Sequence, residues 1–298
     1  MHTTWPPPRP IDAIDRAAKA AAHASTGQQT DTGDRDASES DVASDRPAPP
    51  LPAHDWALFL DVDGSLLDFA AQPDAVEVPA GMQEHLAALA ARLDGALALV
   101  SGRALATLDV LFEQLQHLPA AGLHGLEWRS AHGGLHPAPE APESLDSIEA
   151  EAQRIAAAYP GAAIERKGPS LAFHWRAAPQ AQDPFRAFAA AALRVLPDYR
   201  PQFGDRVLEL RPEGMDKGAA VRAFLAQAPF AGRVPVFVGD DLTDEHGFAV
   251  VNTLGGLSVL VGDRAYSEAR YRLPGPAAVR DWVREAVEAP PSPRTHAS

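Results

Sequence analysis

The sequence predicts an α/β protein: a doubly wound parallel-sheet core into which a smaller α/β cap is inserted. Three observations predict it. First, short and nearly continuous apolar runs (LFLDV, ALALV, VPVFVGDD, LSVLVG) alternate with segments whose apolar residues recur at helical spacing. Strands apolar on both faces and separated by helices belong to parallel sheets covered on both sides. Second, alternating apolar and polar runs in the middle of the chain read as hairpins of a second sheet. Third, carboxylates, a serine and a lysine gather where the apolar runs stop. In doubly wound sheets those carboxyl ends of the strands hold the ligand.

The chain has 298 residues, 46% of them hydrophobic, which suffices for one or two packed domains. Residues 1 to 54 differ: PPPRP, GQQTDTGDRDASESD and RPAPPLP cannot bury enough apolar area to offset ordering, so this extension is expected to be disordered. A short helix over Ile11 to Ala24 is compatible with the pattern. LFLDV opens the core. PAGMQEHLAALAARLDG follows, with Met82, Leu86, Leu89 and Leu93 on one helical face, Pro79 near its start and Gly95 past its end. ALALV is a strand, LATLDVLFEQL a helix and LPAAGLHG a third strand. The cap is expected over residues 127–211, between core segments 55–126 and 212–288. Within it, SLDSIEAEAQRIAAAYPG is helical and ends at Pro160-Gly161. AIERKG and SLAFHWR form a hairpin. PFRAFAAAALRVL is a helix, and YRPQF and RVLELR form a second hairpin around Gly204-Asp205. The core then resumes with helix MDKGAAVRAFLAQ, strand VPVFVGDD, helix DEHGFAVVNTLG, strand LSVLVG and helix AAVRDWVREAVE. Residues 289–298 are expected to be a loose tail.

Composition excludes several functions. A net charge of -14 argues against nucleic acid or an anionic membrane as partner. With no cysteine, disulfides, thiolate metal sites and a thiol nucleophile are excluded. No apolar run approaches the roughly 20 residues of a membrane span, and a cytoplasmic setting is expected.

The strand ends carry the chemistry. Asp61 and Asp63 close the first strand, Ser101, Gly102 and Arg103 the second, and Asp240 and Asp241 follow VFVG. Lys217 opens a helix. Two unit charges about 4 Å apart repel by roughly 4 kcal/mol at an effective dielectric near 20, so carboxylates gathered at one edge call for a cation. The candidate ligands Asp61, Asp63, Asp240 and Asp241 are all oxygen donors, which favours Mg²⁺. Lys217 and the Ser101 hydroxyl suit phosphate oxygens. Asp61 is the expected nucleophile, forming an aspartyl-phosphate. Asp63 is the expected acid that protonates the leaving oxygen and the base that then activates water. Asp241, Thr243 and Asp244 also fit helix capping. His132, His136 and His246 are read as ordinary residues.

DVDGS, the Ser of LVSGR, the Lys of MDKG and the GDDLTDE run together resemble the four motifs of the haloacid dehalogenase superfamily of phosphotransferases. GLHGLEW, ERKGPSLAFHWR, LELRPEGMDKG and PVFVGDDLTDEHGFAVVN further resemble trehalose-6-phosphate phosphatases of the bacterial cytoplasmic type, over roughly Trp56 to Glu288. Ser65 stands where that family usually has Thr and keeps the hydroxyl. The resemblance implies a core like that of the superfamily, Mg²⁺ as cofactor, hydrolysis of trehalose 6-phosphate, and functional pairing with a trehalose-6-phosphate synthase. The cap reading joins it. Ile164, Leu171, Phe173, Trp175, Leu208 and Leu210 should share the buried face of the cap sheet, which leaves Glu165, Lys167, His174, Arg176 and Glu209 on the other. The resemblance assigns Glu165, Lys167, Arg176 and Glu209 to the disaccharide. Gly102 and Arg103 beside Ser101, and His124 and Glu127 at the hinge, complete the expected substrate contacts. The same motifs admit other readings: another capped sugar phosphatase, a phosphomutase, or a non-catalytic phospho-acceptor or sugar-phosphate sensor.

Overall fold

A computed structural model describes residues 46–68, 76–204 and 206–290. The expectations for residues 1–45, including a helix near Ile11 to Ala24, and for 291–298 lie outside the described residues, as does Asp205 in the second cap turn.

In chain order, β1 (Trp56–Asp61) is followed by α1 (Met82–Arg92), β2 (Leu97–Val100), α2 (Leu105–Leu111), β3 (Ala120–Gly122), β4 (Glu127–Arg129) and β5 (Leu135–His136). Next come α3 (Ser144–Ala157), β6 (Ala163–Lys167), β7 (Ser170–His174), α4 (Gln182–Ala192), β8 (Tyr199–Gly204) and β9 (Val207–Pro212). The chain closes with α5 (Lys217–Leu225), β10 (Val234–Gly239), α6 (Glu245–Thr253), β11 (Leu257–Val261), β12 (Tyr271–Leu273) and α7 (Pro276–Glu288). Among the described residues no helix is long and apolar enough to cross a membrane.

Eight strands form the main sheet in the order β12-β11-β10-β1-β2-β3-β4-β5. All neighbours from β12 to β3 are parallel. Every residue of β1 is buried, as its unbroken apolar run requires. The chain runs from β1 outward to β2 and β3 on one side and returns to β10 and β11 on the other. The order therefore reverses between β1 and β10, and their carboxyl ends border the crevice where such sheets bind ligands. Leu60 pairs with Val238, which sets Asp61 and Asp240 just past the same level of the sheet.

Four antiparallel strands, ordered β6-β7-β9-β8, form the second sheet. Its register matches the expected faces. Ile164 pairs with Phe173, Phe173 with Leu208 and Leu171 with Leu210. Leu171, Phe173, Leu208 and Leu210 are buried in an apolar cluster with Leu145 and Ile148 of α3 and Phe185 and Ala189 of α4. This cap core is separate from the cluster that fills the main sheet.

Two boundaries differ from the expectation. Residues 127–136 were assigned to the cap, yet β4 and β5 extend the main sheet antiparallel to β3. Strands of three and two residues are too short to show a period. Residues 46–54, expected to belong to a disordered extension, are held against the fold. Proline lacks a donor but its carbonyl accepts. Pro47 O accepts from Arg272 N on β12 at 3.0 Å, and Pro50 O from Trp282 Nε1 at 3.0 Å. Arg46 donates to Ala269 O at 2.8 Å and Ser267 O at 2.9 Å. This strap covers the open edge of β12, where exposed ladder groups would otherwise recruit another chain.

Candidate active site

Asp61 ends β1 and is 3% exposed. Lys217 begins α5, whose start is set by Asp216, the side chain of which accepts from Ala219 N at 2.8 Å. The two meet: Lys217 Nζ donates to Asp61 Oδ1 at 2.7 Å and to Asp244 Oδ1 at 2.6 Å. Asp240 follows β10 and completes a group. Asp61, Asp240 and Asp244 each offer a carboxylate oxygen, all within 4.8 Å of one another. Ser65 Oγ donates to Asp240 Oδ1 at 3.3 Å.

Three carboxylates share one ammonium, so the group carries excess negative charge in a dry place. The titrations reflect it. Burial, then the Asp244 and Asp240 charges, raise the Asp61 carboxyl well above its usual range, against the pull of Lys217. Burial, then Asp244, push Asp240 up to about 7. Burial works against the Lys217 ammonium, but Asp244 and Asp61 outweigh it and hold its pKa above the ordinary lysine value. Oxygen donors around an unbalanced charge fit a hard divalent cation.

The sequence reading named Asp61, Asp63, Asp240 and Asp241 as this group. The structure brings together Asp61, Asp240 and Asp244 instead. Gly64 turns the chain at a φ of 81°, and the Asp63 carboxylate leaves the cluster for Arg103. Arg103 grips it with both nitrogens, Nε to Oδ2 at 2.8 Å and Nη2 to Oδ1 at 2.8 Å. Asp241 caps a short 3-10 turn (Leu242–Asp244), accepting from Leu242 N at 2.7 Å. Asp244, read from sequence as a cap, does both jobs. Its Oδ2 accepts from the Asp240 and Asp241 N–H groups at 3.0 and 2.9 Å, while its Oδ1 holds Lys217. The signal was its place four residues after Asp240 in GDDLTDE, one helical turn on.

Ser101 is buried just past β2, and its Oγ accepts from Arg103 N at 3.1 Å. His124, at a φ of 56°, donates its N–H to Ser101 O at 2.9 Å. Its ring lies against Gly102, where a Cβ would stand 2.7 Å away, so only glycine admits this contact. Burial, then the Lys217, Arg211 and Lys167 charges, keep the imidazole pKa well below its usual value. Glu127 Oε1 accepts from Leu105 N at 2.7 Å, at the start of α2.

The cap presents the rest. Glu209 Oε2 lies 3.8 Å from both His124 Nε2 and Lys167 Nζ. Lys167 Nζ is 3.6 Å from Glu165 Oε2, and His174 Nε2 is 2.9 Å from the same oxygen. Burial raises the Glu165 carboxyl, but hydrogen bonds and charge from His174 and Lys167 outweigh it and hold the pKa below normal. Glu209 Oε1 and His124 Nδ1 are buried without a hydrogen-bond partner among the described residues. Such orphans are costly unless a ligand completes them. Arg176 is exposed, two residues beyond the end of β7. His136 stacks on Trp128 with ring centroids 3.7 Å apart, and His246 Nδ1 contacts Thr243 O at 3.2 Å.

Comparison with known proteins adds a family. The model described as trehalose-phosphatase matches residues 59–277. Trehalose-6-phosphate phosphatase of Escherichia coli K12 is 43% identical over 228 residues, covering 76% of this chain and 85% of that protein. A protein of Sinorhizobium fredii described as a probable trehalose-phosphate phosphatase is 46% identical over 230 residues, with 76% and 86% covered. In fold, the chain is similar to the C-terminal domain of the C. albicans trehalose-6-phosphate phosphatase, at a TM-score of 0.70, 20% identity and coverage of 82% and 98%. It is also similar to a haloacid dehalogenase-like hydrolase from Bacteroides thetaiotaomicron, at a TM-score of 0.56, 16% identity and coverage of 78% and 97%.

Proposed function

The chain belongs to the trehalose-phosphatase family, and on that premise we propose how its residues hydrolyse trehalose 6-phosphate to trehalose and inorganic phosphate through an aspartyl-phosphate. The observation that carries the reading is the Asp61–Lys217 contact of 2.7 Å inside a buried carboxylate group at the strand ends. Lys217 fixes one Asp61 oxygen and offers its charge to the phosphoryl oxygens. An Asp61 oxygen attacks phosphorus as the bond from phosphorus to the sugar oxygen breaks. Asp63, released from Arg103 and protonated from solvent, gives that proton to the leaving oxygen, then takes one from the water that attacks phosphorus and frees Asp61. Both Asp63 oxygens accept from Arg103 in the resting state, so that pair parts for the transfer. Ser101 and the turn N–H groups steady the phosphoryl oxygens.

We assign Mg²⁺ to Asp61, Asp240 and Asp244; bound there, it would offset charge on the transferring group. Glu165, Lys167 and Glu209, with His124 below them, are assigned to the disaccharide. Binding the remote sugar supplies energy that orders the reacting groups and shuts out water. A synthase that makes trehalose 6-phosphate would supply the substrate.

A phosphate-release screen over sugar phosphates, with and without Mg²⁺, tests the whole reading. Release from other sugar phosphates as fast as from trehalose 6-phosphate would discard the substrate assignment. Glu209→Ala should lower kcat/KM for trehalose 6-phosphate about 10- to 100-fold, the worth of a charged hydrogen bond. Turnover of a small aryl phosphate should change little; equal losses on both would contradict the clamp.

The metal assignment has a thermal readout. Asp240 titrates near 7 in the fold against a reference value of 3.8. Between those values the native state binds more protons than the unfolded one, so this group's contribution to stability falls as pH rises. Mg²⁺ present at 100 times its Kd at pH 7.5 should stabilise the fold there by about 2.7 kcal/mol, and the same concentration should raise Tm less at pH 5. Asp240→Asn should flatten that pH difference. A Tm indifferent to Mg²⁺ at both pH values would count against the trio as ligands.

A further inference from the structure

Among the described residues, Arg211 is the largest side chain with no exposed surface. It stands on β9 two residues past Glu209 and pairs across the sheet with Arg200. Its Nη1 donates to Gln202 Oε1 at 2.7 Å and its Nη2 to Met215 O at 2.6 Å. Both acceptors are neutral, and Nε is buried without a partner among the described residues. Burial pulls the guanidinium pKa down to about 10, only partly offset by Glu209. Burying a charge costs several kcal/mol, and an apolar side chain of similar volume would pack there at less cost. The charge is therefore unexplained by packing.

What the guanidinium gains is control of a short link. Residues 213–216 carry the chain out of the cap and into α5. Met215 O also receives Arg200 Nη2 at 3.4 Å, and Arg200 Nη2 lies 3.7 Å from Asp216 Oδ2. The core meets the same link. Gly125, at a φ of 99°, sits so close that a Cβ would stand 2.7 Å from Asp216 O. The link that leaves the cap is thus packed against the core at Asp216, and the next residue is Lys217.

We propose that Arg211 is a positioning residue that ties the cap to the Met215–Lys217 link, so that the placing of the Lys217 ammonium depends on the seat of β9. The proposal rests on Lys217 being the cation of the phosphoryl site; it does not rest on the identity of the sugar. Glu209 and Arg211 lie on one face of one strand, so the element that faces the sugar also sets the lysine.

Two variants test it, Arg211→Lys and Gln202→Met, assayed at saturating Mg²⁺ for phosphate release from trehalose 6-phosphate and from a small aryl phosphate. Thermal unfolding is followed in parallel. Lys217 serves the phosphoryl group whatever the leaving group. Arg211→Lys should therefore lower kcat by the same factor on both substrates, about 10- to 100-fold, the cost of a misplacement near 1 Å. KM should move less than about threefold, since Lys217 acts on the transferring group more than on ground-state binding. Gln202→Met introduces no charge and removes one of the two acceptors, so it should lower kcat on both about three- to tenfold. A loss confined to trehalose 6-phosphate would show that Arg211 serves only the sugar clamp and would overturn the proposal. So would a lowered Tm with kcat unchanged on both. If Arg211→Lys fails to fold, Gln202→Met decides by the same comparison. If the wild type acts on the aryl phosphate and not on trehalose 6-phosphate, the substrate assignment fails while the aryl arm still decides the role of Arg211.

Discussion

Asp61→Asn should reduce phosphate release by a factor on the order of 10⁴ to 10⁶, the scale seen when a covalent nucleophile is removed. The amide keeps the shape of the carboxylate and cannot displace the sugar oxygen. Its effect on stability should be the opposite of a typical buried-charge deletion. Asp61 is raised well above the usual carboxyl range by burial and by Asp244 and Asp240, so the metal-free fold favours the loss of one negative charge. Lys217 keeps Asp244 at 2.6 Å. Without a divalent cation the variant should melt at the wild-type temperature or above it. A trapping experiment sharpens the test: wild-type enzyme should take up label from ³²P-substrate at this position on acid quench, and the variant should take up none. Turnover within tenfold of wild type would remove Asp61 from the mechanism.

Lys217→Met should also damage the chemistry and should in addition destabilise the fold. Losing a preorganised cation beside a transferring phosphoryl group costs at least about 10²- to 10³-fold in kcat. The stability loss has a separate cause. Asp61 and Asp244 are 3% and 0% exposed, and this ammonium bonds both. Stranding buried partners typically costs about 3–5 kcal/mol, which for a chain of this size lowers Tm by roughly 10 °C. Protonating the carboxylates relieves that cost, so the deficit should shrink from pH 8 to pH 5. Mg²⁺ should recover part of it. The two variants remove opposite ends of one 2.7 Å contact and should move metal-free stability in different directions. If both lower it equally, the excess negative charge assigned to the group is absent.

Several elements could be read from residues alone. β1, β2, β10 and β11 announce themselves because each is buried on both faces, and an unbroken apolar run has few other uses. The faces of the cap sheet followed from strict alternation. Pairing Phe173 with Leu208 and Leu171 with Leu210 is what that alternation required. Asp61, Ser101 and Asp240 could be placed because the ends of parallel strands share an edge whatever the loops do, and Lys217 because it opens the helix that returns the chain to that core. Other features escaped. β4 and β5 are shorter than any period. The strap from Arg46 is held by proline carbonyls, which leave no mark in composition. Arg211 looks like any polar residue on an open strand face until the link beneath it closes.

The amino-acid sequence by itself determined the architecture and the ring of polar strand ends, because burial and periodicity are properties of the chain taken a few residues at a time. Only the tertiary structure decided which carboxylates converge. Asp63 and Asp241 stand beside Asp61 and Asp240 in sequence but turn away, one to Arg103 and the other to its own helix cap. Asp244 turns in, because Lys217 comes 27 positions along the chain to meet it. The direction of a side chain past a strand end depends on the turn it sits in and on a partner brought from elsewhere, and neither is written in its neighbours.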